Sequence, residues 1–150
     1  MRKIVVPLLM LLTSVVLVHA QDGGIGLGLS TDGLTGKYWL DGSTAISIHW
    51  NFGTTVVADY LFDNPELLKL TDAPTPVYYG VGALIGTHEG RDDNFKTTTE
   101  FDLGVRGVVG ISYYLVSFPV DIFIESTPTL KLLSPGKFDF DGSFGIRYFF

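Results

Sequence analysis

A chain of 150 residues without one cysteine has no disulfide framework, no thiolate metal site and no lipidated cysteine. Sixteen acidic residues against ten basic ones give a net charge of −6, which argues against nucleic acid as a partner. Eighteen glycines and eleven phenylalanines, with only 17% charged residues, suit a small sheet that meets lipid on one face and narrows on the other.

Arg2 and Lys3 start the chain, Ile4 to Val18 is apolar apart from Thr13 and Ser14, and Val18-His19-Ala20 offers small residues for a signal peptidase. A secretory signal peptide is therefore expected over residues 1–20, cut before Gln21, followed by one domain over 21–150. About 15 apolar residues containing Pro7 fall short of the roughly 20 that a spanning helix needs. Losing Arg2 and Lys3 leaves 8 of the 10 basic residues and all 16 acidic ones, a net charge of −8.

Eight strands follow, each sorted by a period of two. The first, Gly24 to Ser30, sets Ile25, Leu27 and Leu29 against glycines and ends in Thr31-Asp32-Gly33. The second, Leu34 to Leu40, turns through Asp41-Gly42-Ser43 into the third, Thr44 to Phe52. There Ile46, Ile48, Trp50 and Phe52 oppose Ala45, Ser47, His49 and Asn51. In the fourth, Val56, Ala58, Tyr60 and Phe62 oppose Thr55, Val57, Asp59 and Leu61. The fifth is expected over about 77–86, with Gly80, Gly82 and Gly86 inward, and the polar run His88 to Thr98 then leads to a sixth over about 99–113. The seventh, Val120 to Ser126, sets Val120, Ile122 and Ile124 against Asp121, Phe123 and Glu125. In the eighth, Phe138, Phe140, Phe144, Ile146, Tyr148 and Phe150 share one parity, while Asp139, Asp141, Ser143, Gly145 and Arg147 share the other.

Which face points outward decides the class. A soluble lipocalin-like barrel turns its apolar face inward around a ligand. An eight-stranded lumen, just wide enough for ordinary side chains, cannot take the whole aromatic row. Gly36-Lys37-Tyr38-Trp39 also has one residue too many for the lipocalin Gly-x-Trp. The expected fold is all-β: an eight-stranded antiparallel up-and-down transmembrane β-barrel in the outer membrane. Its final strand carries Phe144, Ile146, Tyr148 and Phe150, the pattern of a terminal signal for barrel assembly.

Gly33-Leu34-Thr35-Gly36-Lys37-Tyr38-Trp39-Leu40, Gly104-Val105-Arg106, Pro119-Val120-Asp121-Ile122-Phe123-Ile124-Glu125 and Asp141 to Phe150 together resemble a family of small bacterial outer-membrane barrels of unassigned role. The resemblance implies a fold similar to the OmpA transmembrane domain and brings no catalytic signature. Thr127 stands before Pro128 where a small residue fits that pattern better, which leaves the end of the seventh strand open.

By parity Lys37, His49, Asp59, Asp102, Arg106, Asp121, Glu125 and Arg147 point into the lumen, where charges persist only if paired or wet. Arg106 and Arg147 can each fork to a carboxylate, with Asp102, Asp121 and Glu125 on neighbouring strands. A structural plug of salt bridges is expected over a selectivity filter. Ser47-Ile48-His49 sets a hydroxyl and an imidazole on one face, the minimum for an activated nucleophile, yet no third residue completes it, and no enzyme is expected.

Gly24-Ile25-Gly26-Leu27-Gly28 lacks the spacing of a dinucleotide site, and His88-Glu89 lacks the second histidine of a zinc-protease helix. Glu89 to Asn94 could gather calcium, though such runs are more often solvated loop tips, and no cofactor or metal is expected. In the connection Asp63 to Pro76, Asn64-Pro65-Glu66 reads as a helix start with Leu67, Leu68 and Leu70 as its apolar patch. That patch is expected to dock at the periplasmic mouth or to form an ordinary loop.

The reading is a monomeric outer-membrane barrel with a structural or adhesive role. A narrow or gated pore, a lipid-modifying enzyme and a soluble lipocalin-like binder are the alternatives. Its expected partners are outer-membrane lipid and the barrel-assembly machinery, with an extracellular or host ligand left open.

Overall fold

A computed structural model describes residues 24–65, 68, 75–91, 97–133 and 137–150. The leader expected over 1–20 and most of the segment between Asn64 and Thr75 lie outside these residues. Eight strands make up the fold: β1 Ile25–Ser30, β2 Gly33–Trp39, β3 Thr44–Trp50, β4 Thr55–Asn64, β5 Val77–Arg91, β6 Thr97–Tyr114, β7 Val120–Lys131 and β8 Phe138–Phe149. Each pairs antiparallel with its neighbour, and β1 pairs with β8, so the sheet closes into a barrel with no free long edge.

The two-residue period becomes an inside and an outside. Ile25, Leu27 and Leu29 of β1, and Phe144, Ile146 and Tyr148 of β8, are exposed, while the residues between them turn inward. One end gathers Gly24, Phe150 and the turns 40–43 and 115–119. There Trp39, Ala45, Leu61, Tyr78, Tyr114 and Phe149 fill the interior as an apolar cluster. The opposite end, with the turns 31–32 and 51–54, has a polar interior and is open.

Several strands outrun their expected bounds. β5 reaches Arg91 and β6 begins at Thr97, so much of the run from His88 to Thr98 is a β-ribbon that pairs up to Arg91↔Thr97. Its residues lost the apolar alternation because the ribbon passes beyond the part of the barrel with an apolar exterior. β7 does not stop at Ser126 but continues through Pro128 to Lys131. Proline has no N–H to give the ladder, and β6–β7 pairing is interrupted between Arg106↔Thr129 and Val109↔Ser126, where Pro128 faces Gly107. Asn64 ends β4, paired with Val77, and the helix expected after it falls mostly outside the described residues. Leu67 and Leu70 lie outside the described residues.

Two turns show how sequence sets register. Gly33 has φ 137°, a conformation that side chains disfavour, and a Cβ there would collide with the Trp50 carbonyl. In the β2–β3 turn, Asp41 accepts the backbone N–H of Ser43 at 2.8 Å and of Thr44 at 2.7 Å, and the Thr44 hydroxyl at 2.7 Å. The Thr44 hydroxyl first, then the two backbone donors, hold its carboxyl down at about 2. A depressed carboxylate stabilises the fold above its unfolded value of about 4 and loses that contribution as pH falls through about 2. Asp41→Ala is therefore expected to lower the unfolding midpoint at about pH 6 and to match the parent near pH 2. A constant difference across that range would show that the turn does not depend on the charge.

Candidate functional site

The interior of the barrel holds the ionisable chemistry. Lys37, His49, Asp59, Asp102, Arg106, Asp121, Glu125 and Arg147 all lie on its inner face, and apart from the partly covered Arg106 each is buried. Glycines on intervening strands let these side chains cross from one strand to the next but one.

Arg106 is the clearest case. Asp59 on β4, Gly82 on β5 and Arg106 on β6 occupy one register row. With no side chain at Gly82, the guanidinium passes over it and forks onto Asp59, Nε to Oδ1 at 2.8 Å and Nη2 to Oδ2. Asp102, Asp121 and Glu125 were the partners expected from adjacency; the actual partner lies two strands away because Gly82 clears the path. Tyr78, Gly110 and Glu125 repeat the device, with the Tyr78 hydroxyl donating to Glu125 Oε2 at 2.8 Å across Gly110.

Two ion pairs sit towards the closed end. Arg147 and Asp121 face each other in the β7–β8 ladder and form a forked pair, Nε to Oδ1 at 3.1 Å and Nη2 to Oδ2 at 2.9 Å. The guanidinium also lies 3.9 Å from the Phe123 ring centroid. Lys37 donates to Asp63 at 3.0 Å, with the Trp39 ring centroid 4.0 Å away. The sequence pattern places Asp63 at the start of a connecting segment. The Asn-Pro that follows it suggested a helix start, yet its parity with Asp59 and Leu61 already marked it as inward.

Towards the open end the interior is a polar cup of about 300 Å³. Its lining includes His49, Asp102, Arg106, Lys131, Asp139 and Asp141, with Asp32 and Asn51 from the turns and Val57 and Leu84 as apolar wall. Lys131 stands 3.3 Å from Asp139 and 3.8 Å from Asp102. His49 is at the base, its Nε2 3.6 Å from Glu125 and 3.7 Å from Asp59, beyond hydrogen-bond length.

No family model matches this chain, and neither a curated protein nor a solved structure does. The geometry must therefore speak for itself. Ser47 and His49 share the inner face of β3, but the Ser47 hydroxyl donates to Asp59 at 3.2 Å, and neither ring nitrogen of His49 accepts or donates a hydrogen bond among the described residues. A nucleophile bonded to its base is not what this pair forms. Of the run Glu89 to Asn94, Glu89, Gly90 and Arg91 belong to β5, and the rest lies outside the described residues. Phe144, Ile146, Tyr148 and Phe150 form one exposed row on the outer face of β8 and just beyond it.

Proposed function

We propose that the chain is an integral outer-membrane β-barrel, delivered by a cleaved leader, with a closed lumen and a structural or adhesive role at the cell surface. The observation that carries this reading is the outer surface. Tyr38, Tyr60, Phe62, Tyr79, Tyr113 and Tyr148 are exposed towards the closed end, and Trp50, Phe52, Phe101, Phe138 and Phe140 towards the other. Between them lie Leu27, Ile48, Val81, Val105, Val109 and Ile124, also exposed. An apolar band flanked by two aromatic girdles is the exterior of a barrel in lipid. Soluble proteins rarely expose contiguous apolar patches beyond a few hundred Å². The small outer-membrane barrels with an OmpA-like fold, which the sequence resembles, supply the analogy for place and role. In that setting the closed end, with its turns 40–43 and 115–119, faces the periplasm, and the β5–β6 ribbon faces outward.

The same interior speaks against a pore, since Trp39, Tyr78, Tyr114 and Phe149 with two forked or bridged ion pairs occupy the bore. Folding the mature chain into lipid vesicles tests the proposal. The expected product migrates faster on a gel before boiling than after, resists external protease over its strands, and gives no stepwise conductance in a planar bilayer. A chain that stays soluble and unfolded beside the vesicles overturns the membrane reading; discrete conductance steps overturn the closed lumen.

A further inference from the structure

The open cup contains more negative charge than its own cations answer. Arg106 is taken up by Asp59 and Lys131 by Asp139 and Asp102, whereas Asp32 and Asp141 form no ion pair among the described residues. Behind the base lies Glu125, 4% exposed, whose hydrogen bonds come from the uncharged hydroxyls of Tyr78 and Ser143. Arg106, the cation that acts on Glu125 electrostatically, is forked onto Asp59, and the ring of His49, 3.6 Å away, is the nearest group that could carry a charge to Glu125.

His49 is the independent sign that something is meant to arrive. It lines the cup, is 4% exposed, and both its ring nitrogens are buried without a hydrogen-bond partner. Buried polar groups are almost always satisfied, so such an imidazole marks a place for a further donor or acceptor. Nε2 is the ring nitrogen nearest the carboxylates of Glu125 and Asp59, and in the tautomer that carries its hydrogen there the ring keeps Nδ1 as an acceptor for a donor from outside.

We propose that the cup binds a small organic cation, an alkylammonium whose N–H donates to the His49 imidazole while its charge answers Glu125 within and Asp141 and Asp32 at the rim. No three His, Asp or Glu residues converge to hold a metal ion among the described residues. The volume of about 300 Å³ equals roughly ten waters, room for a short chain, and Val57 and Leu84 offer it an apolar wall.

Titration calorimetry of the folded barrel in detergent micelles, with putrescine as the probe and sodium butyrate and 1-butanol as matched anionic and neutral chains, tests this. Putrescine is expected to bind saturably, one per barrel, and the other two not at all. His49→Phe keeps the ring volume but removes the acceptor, and Asp32→Asn/Asp141→Asn removes charge at two exposed positions that folding does not need. Each is expected to weaken putrescine by about tenfold or more, the cost of a lost charge-assisted contact. Absent putrescine binding, preferred binding of butyrate, or unchanged affinity in the rim double variant each overturns the proposal. The rim variant decides the matter even if His49→Phe does not fold.

Discussion

Replacing Arg147 with methionine is expected to destabilise the barrel by about 3–5 kcal/mol, the cost of leaving one member of a buried ion pair alone. Both side chains of the Arg147–Asp121 pair are fully buried, so no water replaces the missing guanidinium. Asp121 would then stand unpaired inside a bore closed by Tyr114 and Phe149, while Phe123 would lose the cation stacked on its ring. Removing both members with Arg147→Met/Asp121→Leu is expected to restore most of the loss, because an apolar pair of similar volume needs no desolvation of charge. Urea unfolding of the micelle-bound barrel measures both. A single substitution costing under about 1 kcal/mol would show that the pair is not what holds this end shut.

The second large effect is expected at a residue with no side chain. A Cβ on Gly82 would collide with the Asp59 carboxylate and stand 2.5 Å from the Ala58 carbonyl, closer than real Cβ atoms come. Gly82→Ala should therefore displace Asp59 from Arg106 as well as overpack the wall. The expected loss is about 3 kcal/mol, combining overpacking with a broken pair. Gly36→Ala is the control, since its nearest neighbour is a Leu27 methyl carbon at 3.4 Å. Its expected change is within about 0.5 kcal/mol. Equal effects at the two sites would mean that the Asp59–Gly82–Arg106 row carries no special energy.

The alternation that separates Ile46, Ile48 and Trp50 from Ser47 and His49 is a one-dimensional signal, and it sufficed to distinguish the two faces of each strand. It did not reveal the inner aromatics. Trp39, Tyr78, Tyr114 and Phe149 each adjoin an outward aromatic, respectively Tyr38, Tyr79, Tyr113 and Tyr148. Where both parities are aromatic, hydrophobicity no longer tells them apart, and the apolar plug at the closed end went unseen. Parity extended two residues past Leu61 places Asp63 inward, whereas Asn64-Pro65 is itself a signal for a helix start and masks that continuation of the strand. Arg106's partner was hidden for a different reason: contact across Gly82 depends on the register of two ladders at once, which no single strand's pattern contains. The length of the β5–β6 ribbon was hidden because Thr97 and Thr99, on the outer parity of β6, are polar, so pairing continues where the apolar signal stops.

Closure of the sheet has a kinetic meaning. Seven of the eight pairings join strands that follow one another in the chain, and only β1 with β8 joins its two ends, from Gly26↔Phe149 to Ser30↔Gly145. Local hairpins zip with little search, whereas bringing distant segments together must first overcome loop entropy, which rises by only about 0.6 kcal/mol for each doubling of length. Nearly the whole search is thus concentrated in one seam of five residue pairs. At that seam Gly28 lies against the backbone of Ile146 and Arg147, and Gly145 against the Phe123 ring, so the last two edges meet where the chain is thinnest. Pairing of β1 with β8 is therefore expected to be slower than formation of the β5–β6 hairpin, whose strands are adjacent in the chain.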